Sequence, residues 1–280
     1  MDFFILGNPR SGTTLLRLML NSHSLIGVPP ESGFLQWWHE KYRDWNISDS
    51  ENIEKLDVFL DDVLSSKKIE YWEMDRQLLK EYILKNAPGS YIEIIDCIYK
   101  FYCKNKLIIG DKNNYYIHHL DEIQKIAPRA KYIHIVRDGR DVACSYMKIK
   151  ELDQSLKYIP NVSFEISEIA KEWNENLTKI ENFVMHNDSL TIRYEDLISK
   201  PKMILSKVCD FLEVNFEKKM LSYNQKAFND EPVSNMKWKK KTFENLDSTN
   251  KGKYLTILSE NEIQTFNKIA IENLKRFDYE

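Results

Sequence analysis

Short apolar runs alternate with longer amphipathic stretches along most of the chain. Short, near-continuous apolar runs are typical of buried parallel strands, and apolar residues that recur on one helical face are typical of surface helices. Strands are predicted over residues 3–6, 107–112, 132–136 and 189–194, and helices over 13–23, 117–127, from about 141, and over 166–186, 201–212 and 259–276. This alternation predicts an α/β fold with a central parallel sheet and helices on both of its faces.

Two stretches interrupt the alternation of strands and helices. Residues from about 34 to 108 are predicted to be mostly helical, which indicates an insertion between the first and second long strands. Residues from about 225 to 255 are rich in Lys and Asn and have few apolar anchors, which predicts a loop or a lid. Neither an internal repeat nor a linker divides the sequence, so residues 1–280 are predicted to form one domain.

Charge then narrows the classes of function. The 280-residue chain has 40 Lys and Arg against 43 Asp and Glu, a formal net charge of −3. A nearly neutral chain is a poor candidate for a protein that coats nucleic acid, so no nucleic-acid partner is expected. The same net charge is compatible with a local basic pocket for a small anion. The sequence has no apolar stretch long enough to cross a membrane and no signal peptide, so the expected location is cytoplasmic.

The cysteine pattern does not point to a metal site. Cys97, Cys103, Cys144 and Cys209 form no C-x-x-C pair, and they are predicted to be buried, reduced thiols. Asp and His residues form no cluster with ligand spacing, so no metal cofactor is expected.

A phosphate-binding pattern joins the first predicted strand to the first predicted helix. The sequence from Gly7 to Thr14, GNPRSGTT, has the G-x-x-x-x-G frame in which glycines let the backbone approach an anion. The N–H groups of Gly12, Thr13 and Thr14 are expected to point at that anion from the start of the helix. Thr13 stands where nucleoside triphosphatases have Lys, and the positive charge lies instead at Arg10.

A second motif, RDGRDVACS, starts at Arg137 and follows the predicted strand 132–136. Ligands of open α/β sheets bind at the carboxyl ends of strands, so Arg137 is placed to hold a second anionic group. Ser145 is expected to reach the same group from the next helix, whereas Asp138 and Asp141 are expected to pair arginines or cap that helix. Taken alone, the motif also fits a surface cluster of Arg–Asp ion pairs.

In this order and spacing, the two motifs resemble the 5′-phosphosulfate loop and the 3′-phosphate motif of the sulfotransferases. That family uses 3′-phosphoadenosine 5′-phosphosulfate (PAPS) as its donor. The resemblance runs from Phe3 to about Leu212 and implies a P-loop NTPase-like fold. The Pro-Arg-Ser-Gly-Thr-Thr form is closer to the carbohydrate and tyrosylprotein branches than to the small-phenol branch, which usually has Lys in place of Arg10.

The resemblance implies donor-binding roles for two groups of residues. The 3′-phosphate would be held by Arg137 and Ser145. The 5′-phosphosulfate would be held by the loop residues Arg10, Ser11, Gly12, Thr13 and Thr14.

Two further stretches resemble donor-binding parts of the family. Tyr194 resembles the tyrosine near the adenine, for which a core residue is the alternative. Lys251, Gly252 and Lys253 resemble the loop that closes over the 3′-phosphate, for which a solvated Lys run is the alternative.

Sulfuryl transfer to a hydroxyl or amine needs a group that accepts the proton or orients the nucleophile. Glu31, in VPPESG, resembles the catalytic Glu of the carbohydrate and tyrosylprotein branches, and an exposed loop Glu is the alternative. The small-phenol branch uses a His two residues after a Lys that matches Lys112, and here that position is Asn114, which cannot act as a base. By resemblance, Lys112 contacts the bridging oxygen or the sulfuryl group. His118 and His119 are expected to be packing or surface residues.

The resemblance implies a sulfotransferase that moves a sulfuryl group in line from PAPS to a hydroxyl or amine. Glu31 would be the base, and Arg10 and Lys112 would stabilise charge on the leaving phosphate oxygen. Two alternatives remain: a P-loop kinase that uses ATP, and a non-catalytic nucleotide-binding protein. A strand that starts at about Phe3 leaves no room for the membrane anchor of Golgi relatives, which favours a cytoplasmic, bacterial-type enzyme.

The acceptor is expected to be a carbohydrate, a tyrosyl peptide or a small metabolite. It would be bound by the helical region 34–108 and by the segments near 150–165 and 225–250. The aromatic residues of these segments are candidates for stacking on it, for which a place in the core is the alternative: Trp37, Trp38, Trp72, Tyr158 and Trp238.

Overall fold

Five parallel strands form the central sheet. The computed structural model describes residues 1–46, 50–153, 155–225 and 244–280, and the strands lie within them. In chain order they are β1 (Phe3–Leu6), β2 (Ile26–Gly27), β3 (Ile108–Lys112), β4 (Lys131–Val136) and β5 (Ser189–Arg193). Their order across the sheet is β2-β3-β1-β4-β5, and every neighbouring pair is parallel. The predicted parallel sheet is therefore confirmed.

The central strand, β1, is apolar at every position because both of its faces are covered. Successive side chains of a strand point to opposite faces of the sheet. Phe4 and Leu6 pack with the helices between β2 and β3, and Phe3 and Ile5 pack with the helices on the other face. The continuous run of Phe3–Leu6 is thus the pattern of a strand buried on both sides.

Helices cover both faces of the sheet, as predicted. In the described residues they are α1 (Thr13–Asn21), α2 (Phe34–Trp37), α3 (His39–Tyr42), α4 (Ser50–Leu64), α5 (Arg76–Asn86), α6 (Tyr91–Tyr102), α7 (Leu120–Ile126), α8 (Gly139–Lys150), α9 (Ile166–Val184), α10 (Tyr194–Ser199), α11 (Pro201–Phe211), α12 (Tyr254–Ile257) and α13 (Glu260–Arg276). One face packs on α1, α10 and α11, and the other on α2 to α7 and the end of α9. A third apolar cluster joins α8, α9 and α13.

The stretch 34–108 is mostly helical and has its own aromatic core. It contains α2 to α6 and the 3₁₀ helix Ile69–Trp72. Trp72 is buried with its ring 5.4 Å from Phe34 and 5.2 Å from Tyr99, and its Nε1 donates to the carbonyl of Pro30 at 3.1 Å. Trp72 therefore belongs to the core and ties this region to the segment that carries Glu31.

Some predicted boundaries are wrong. The helix predicted over 117–127 is a 3₁₀ helix (Asn114–His118) followed by α7, because the backbone of His119 is not helical, with φ −137° and ψ 30°. Tyr194, predicted to end a strand, begins α10. Residues 226–243, most of the predicted lid, and with them Trp238, lie outside the described residues.

Two sequence expectations concern the whole chain. Cys97, Cys103, Cys144 and Cys209 are buried and free, as predicted, and burial raises the pKa of the Cys97 thiol to about 11. Among the described residues, no helix combines the length and the apolar character that a membrane crossing requires.

Candidate active site

A cleft of about 660 Å³ opens at the carboxyl edge of the sheet. Chain segments that leave β1, β3 and β4 form its floor, because the carboxyl ends of parallel strands meet at one edge. This geometry brings together motifs that are far apart in the sequence. The predicted site residues that line the cleft are Arg10, Gly12, Thr13, Thr14, Glu31, Lys112, Arg137, Ser145, Tyr194 and Lys253.

The loop between β1 and α1 is built on two residues with positive φ. Arg10 has φ 70° and Gly12 has φ 93°. A Cβ on Gly12 would lie 2.4 Å from Cδ2 of Tyr194, so this ring packs where only glycine fits. The first N–H groups of a helix have no partner within the helix, and Thr13 and Thr14 line the cleft. The start of α1 is therefore suited to an anion.

Ser11 does not join its neighbours in the cleft. Its side chain is fully buried, its Oγ has no hydrogen-bond partner among the described residues, and it is absent from the lining. Its backbone N–H donates to the carbonyl of Asn8 at 3.1 Å. In this structure, Ser11 shapes the loop instead of presenting a hydroxyl to a ligand.

Arg10 and Arg137 bring two positive charges together at the base of the cleft. Nε of Arg10 donates to Oγ of Ser145 at 2.9 Å, and Nη1 of Arg137 donates to the carbonyl of Arg10 at 3.0 Å. Burial, followed by the positive charge of Arg137, lowers the pKa of Arg10 to about 10. Neighbouring cations that are removed from water are stabilised by a bound anion, so this pair indicates an anion site.

Arg137 is held by an aromatic ring and by the C-terminal segment. Its guanidinium carbon lies 4.5 Å from the centre of the Tyr194 ring, and its Nη2 donates to the carbonyl of Asn250 at 3.3 Å. Nδ2 of Asn250 donates to the hydroxyl of Tyr194 at 2.6 Å. Nε of Arg137 is buried with no hydrogen-bond partner among the described residues. A buried donor without a partner is costly, and an anion in the cleft would satisfy it.

The two aspartates of the second motif have structural roles, as expected. Asp138 caps α8 by accepting from the backbone N–H of Arg140 at 2.9 Å. Its carboxylate also accepts from Nε and Nη2 of the Arg140 guanidinium, at 3.0 and 2.8 Å. Asp141 accepts from the N–H groups of Gly252 at 2.7 Å and Tyr254 at 3.1 Å. Asp141 thereby fastens the C-terminal segment beside the cleft.

The three residues of the predicted closing loop do not act alike. Lys253 lines the cleft and donates to Oδ1 of Asn250. Gly252 has φ 67° and lies outside the lining. Nζ of Lys251 donates to Oγ of Ser199 at 2.7 Å. Neither Lys251 nor Ser199 lines the cleft. Only Lys253 is brought together with the other predicted site residues.

Glu31 lies in the cleft wall, between two lysines. Its Oε2 is 2.7 Å from Nζ of Lys68, and its Oε1 is 3.4 Å from Nζ of Lys112. The N–H of Asn114 also donates to Oε1 at 3.3 Å. Glu31 is 12% exposed and Lys112 is 2% exposed. Glu31 is therefore not the exposed loop residue of the alternative interpretation, and two ammonium groups balance its charge.

A buried carboxyl group lies beneath this wall. Asp111 precedes Lys112 and accepts from the hydroxyls of Tyr99 at 2.8 Å and Tyr116 at 2.5 Å. Burial raises the pKa of Asp111 to about 6, and the negative charge of nearby Glu31 acts in the same direction. Asp111 links α6 to the end of β3 and so fixes the backbone from which Lys112 extends.

The remaining wall is mixed in character. It includes apolar side chains from the segment near 150–165, namely Leu152, Tyr158, Pro160 and Val162. His118, expected to be a packing or surface residue, lines the cleft, whereas His119 contacts Glu122 at 2.9 Å. Trp37, Trp38 and Trp72 are absent from the lining. Of the tryptophans and tyrosine proposed to stack on an acceptor, only Tyr158 lies in the described part of the cleft.

Sequence reasoning missed Lys68 and Asp111. Lys68 stands in a Lys-Lys pair with no motif around it, and Asp111 occupies a position at which a buried strand usually has an apolar residue. No sequence signal distinguishes Lys68, whereas the Asp-Lys pair at the end of an apolar run marks Asp111. Within the described ranges, no group of three or more His, Cys, Asp or Glu residues is arranged to hold a metal ion.

Comparison with known proteins decides the family. A family model described as "Sulfotransferase family" matches residues 2–218. The chain belongs to the sulfotransferase family. This confirms the resemblance of the two motifs and gives no support to the alternative of an ATP-dependent kinase.

The sulfotransferase family also contains relatives that are similar over most of this chain. Protein-tyrosine sulfotransferase 1 of Danio rerio is 25% identical over 229 residues, which cover 79% of this chain and 56% of that protein. The chain thus spans just over half the length of this relative.

Solved sulfotransferase structures share the fold. The sulfotransferase domain from the curacin biosynthetic pathway superposes with a TM-score of 0.63 at 23% identity, over 95% of this chain and 96% of that one. A mouse sulfotransferase complexed with PAP superposes with a TM-score of 0.52 at 14% identity, over 99% of this chain and 85% of that one. At these identities, the likeness establishes the fold.

Proposed function

We propose that the chain transfers the sulfuryl group of PAPS to the phenolic oxygen of a tyrosine in a peptide or protein. Membership of the sulfotransferase family supports the reaction class. The relative named protein-tyrosine sulfotransferase supports a tyrosyl acceptor, and the PAP-complexed neighbour supports the donor. Carbohydrates and small hydroxyl metabolites are the other acceptors to compare.

In this proposal, each anionic end of the donor binds to its own part of the cleft. The 5′-phosphosulfate fits the start of α1, where Arg10, Thr13 and Thr14 line the cleft. The 3′-phosphate fits beside Arg137, whose buried Nε lacks a partner among the described residues, and beside Ser145. A cleft of about 660 Å³ is within the usual range for a ligand of this size.

Glu31 would accept the proton of the tyrosyl hydroxyl while the phenolic oxygen of that tyrosine attacks sulfur. A bond forms between that oxygen and sulfur while the bond between sulfur and the 5′-phosphate oxygen breaks. The products are the sulfated tyrosine and 3′-phosphoadenosine 5′-phosphate (PAP). Lys112 and Arg10 would stabilise the negative charge that develops on the leaving phosphate oxygen.

The observation that carries this proposal is the position of Glu31. Its carboxylate is 3.4 Å from Nζ of Lys112, and both residues line the same cleft as Arg10 and Arg137. A base beside a cation, next to an anion site, is the arrangement that transfer of an anionic group to a hydroxyl requires.

A turnover assay tests the proposal directly. PAP release is measured with PAPS and a tyrosyl peptide, a sugar or a simple phenol, and in parallel ADP release is measured with ATP. We expect turnover with PAPS and the peptide. Because a positioned base contributes about 10²–10⁴-fold, Glu31→Gln should lower kcat by that factor while PAP affinity stays unchanged.

The exposed residue Glu54 provides the matched control, since Glu54→Gln makes the same change outside the cleft. If Glu31→Gln turns over as fast as Glu54→Gln, Glu31 is not the base. Turnover with ATP but not with PAPS would instead establish a kinase. Binding of PAP without turnover of any acceptor would favour a non-catalytic nucleotide-binding protein.

A further inference from the structure

Lys68 makes the shorter of the two lysine contacts to Glu31. Its Nζ is 2.7 Å from Oε2 of Glu31, against 3.4 Å from Nζ of Lys112 to Oε1. Lys68 also lines the cleft and is 24% exposed. The two lysines thus contact different oxygens of the same carboxylate, one from the helical region and one from the end of β3.

Three contacts fasten the segment around Lys68 to the segment around Glu31. Besides the ion pair, Oγ of Ser32 donates to the carbonyl of Lys67 at 3.2 Å, and Nε1 of Trp72 donates to the carbonyl of Pro30 at 3.1 Å. An ion pair between loops that are tied on both sides keeps a defined geometry, unlike the usual exposed pair.

The backbone of Lys68 adopts a conformation that is uncommon for a lysine. Its φ is 68°, in the left-handed region, and its N–H donates to the hydroxyl of Tyr158 at 3.4 Å. Non-glycine residues in this region persist when the surrounding structure determines them, and they concentrate at functional sites. From this conformation, the Lys68 side chain reaches Glu31.

The charges around Glu31 explain why two lysines are needed. Lys68 and Lys112 are two cations in contact with it, and Asp111 is a nearby carboxyl group. In the proposed reaction, Lys112 must direct its charge to the phosphosulfate. A carboxylate that is largely removed from water and loses one cation becomes protonated unless another remains.

We propose that Lys68 is a positioning residue that keeps Glu31 ionised and oriented while Lys112 serves the donor. The inference rests on the proposed function of Glu31 as the base. The two lysines then have different roles: Lys112 acts on the leaving group, and Lys68 acts through Glu31.

The kinetic test uses Lys68→Met, with Lys68→Arg as the conservative variant. An opposite charge at this distance shifts a carboxyl titration by about one to three pH units. The acid limb of the kcat profile should therefore move to higher pH by about one unit or more in Lys68→Met. Lys68→Arg should restore the profile, and PAP affinity should stay within about twofold in both, because a positioning role does not touch the donor.

Lys67 provides a matched control, because its side chain is exposed and outside the cleft lining. Lys67→Met should keep the wild-type profile. A Lys68→Met variant that loses activity with an unmoved profile would show a merely structural role and overturn the proposal. Lys68→Gln is a second neutral variant for the case in which Lys68→Met does not fold, as checked by circular dichroism.

A titration of the PAP-bound protein tests Lys68 without turnover. The side-chain ¹³C signal of Glu31 is identified by its loss in Glu31→Gln and followed against pH. We expect the signal of Lys68→Met to titrate at higher pH than that of wild type and Lys67→Met. Coincident titrations would overturn the role of Lys68, whereas a wild-type chain that does not turn over PAPS would overturn the proposed function instead.

Discussion

Nη1 of Arg137 donates to the backbone carbonyl of Arg10 at 3.0 Å, so the second motif holds the loop of the first. The same contact places the two guanidinium groups close enough for Arg137 to help lower the pKa of Arg10 to about 10. A positive charge disfavours the charged form of a neighbouring cation, and a bound anion favours it. The arginine pair therefore favours an anionic ligand in the cleft.

Arg137→Ala should weaken PAP binding by about 10- to 100-fold, because hydrogen bonds to a charged partner contribute roughly 1.5–3 kcal/mol each. Isothermal titration calorimetry at fixed ionic strength measures the affinity. Arg129→Ala removes the same charge from an exposed position outside the cleft and serves as the control. Equal affinities of the two variants would contradict a direct role of Arg137 in binding.

Asp141→Asn should loosen the C-terminal segment beside the cleft. The carboxylate accepts from the N–H groups of both Gly252 and Tyr254, and an amide has only one oxygen to accept with. We expect faster hydrogen exchange at these two amides and several-fold weaker PAP binding. Asp210→Asn, at an exposed position on α11, is the control. Unchanged exchange at residues 252 and 254 would show that Asp141 does not hold the segment.

Gly12→Ala and Gly252→Ala should differ in their cost to stability. Both glycines have positive φ, but a Cβ at Gly12 meets the ring of Tyr194 at 2.4 Å, whereas a Cβ at Gly252 meets nothing within 4 Å. We expect a loss of about 1 kcal/mol for Gly252→Ala and a larger loss, about 2–4 kcal/mol, for Gly12→Ala. Urea denaturation measures both. Equal losses would mean that the contact with Tyr194 is relieved by movement of the ring.

Asp111 should make stability depend on pH. Burial raises its folded-state pKa from 3.8 to about 6, so the folded state binds more protons than the unfolded state between these values. The contribution of Asp111 to the free energy of unfolding therefore falls as pH rises from about 4 to 6, by roughly 1.4 kcal/mol per pH unit. Above the folded pKa the contribution is constant.

Denaturation of wild type and Asp111→Asn across this pH range checks the sign. Wild type should lose stability relative to Asp111→Asn as pH rises through the window, since the amide does not titrate. Asp44→Asn makes the same substitution at an exposed position and is the matched control. A difference between wild type and Asp111→Asn that is independent of pH would mean that Asp111 does not carry the shift.

The fold was predictable because the short apolar runs correspond to strands of the sheet. Phe3–Leu6 is apolar throughout since both faces of β1 are covered, and the turn residues after it mark the start of α1. The boundary at His119 was not predictable in the same way. The helix predicted over 117–127 crosses His119, where the structure separates the 3₁₀ helix Asn114–His118 from α7.

The candidate site was predictable where residues act through a motif. Arg10, Gly12 and Arg137 meet in the cleft, as their positions after β1 and β4 require. Ser11 and Lys251 do not meet them, because adjacent residues of a tight turn point in different directions. A motif identifies the segment of chain at the site, whereas local backbone angles decide which of its side chains point into the cleft.

The sequence by itself determined the α/β class and the order of the strands along the chain, and it predicts anion-binding chemistry for the two motifs. These properties depend on local patterns, such as apolar runs, glycine at a turn and arginine after a strand. Only the tertiary structure decided that Lys68 and Asp111 lie close to Glu31 and that His118 lines the same cleft. Their proximity depends on how the helical region packs against β3, and long-range packing leaves no periodic signal in the sequence.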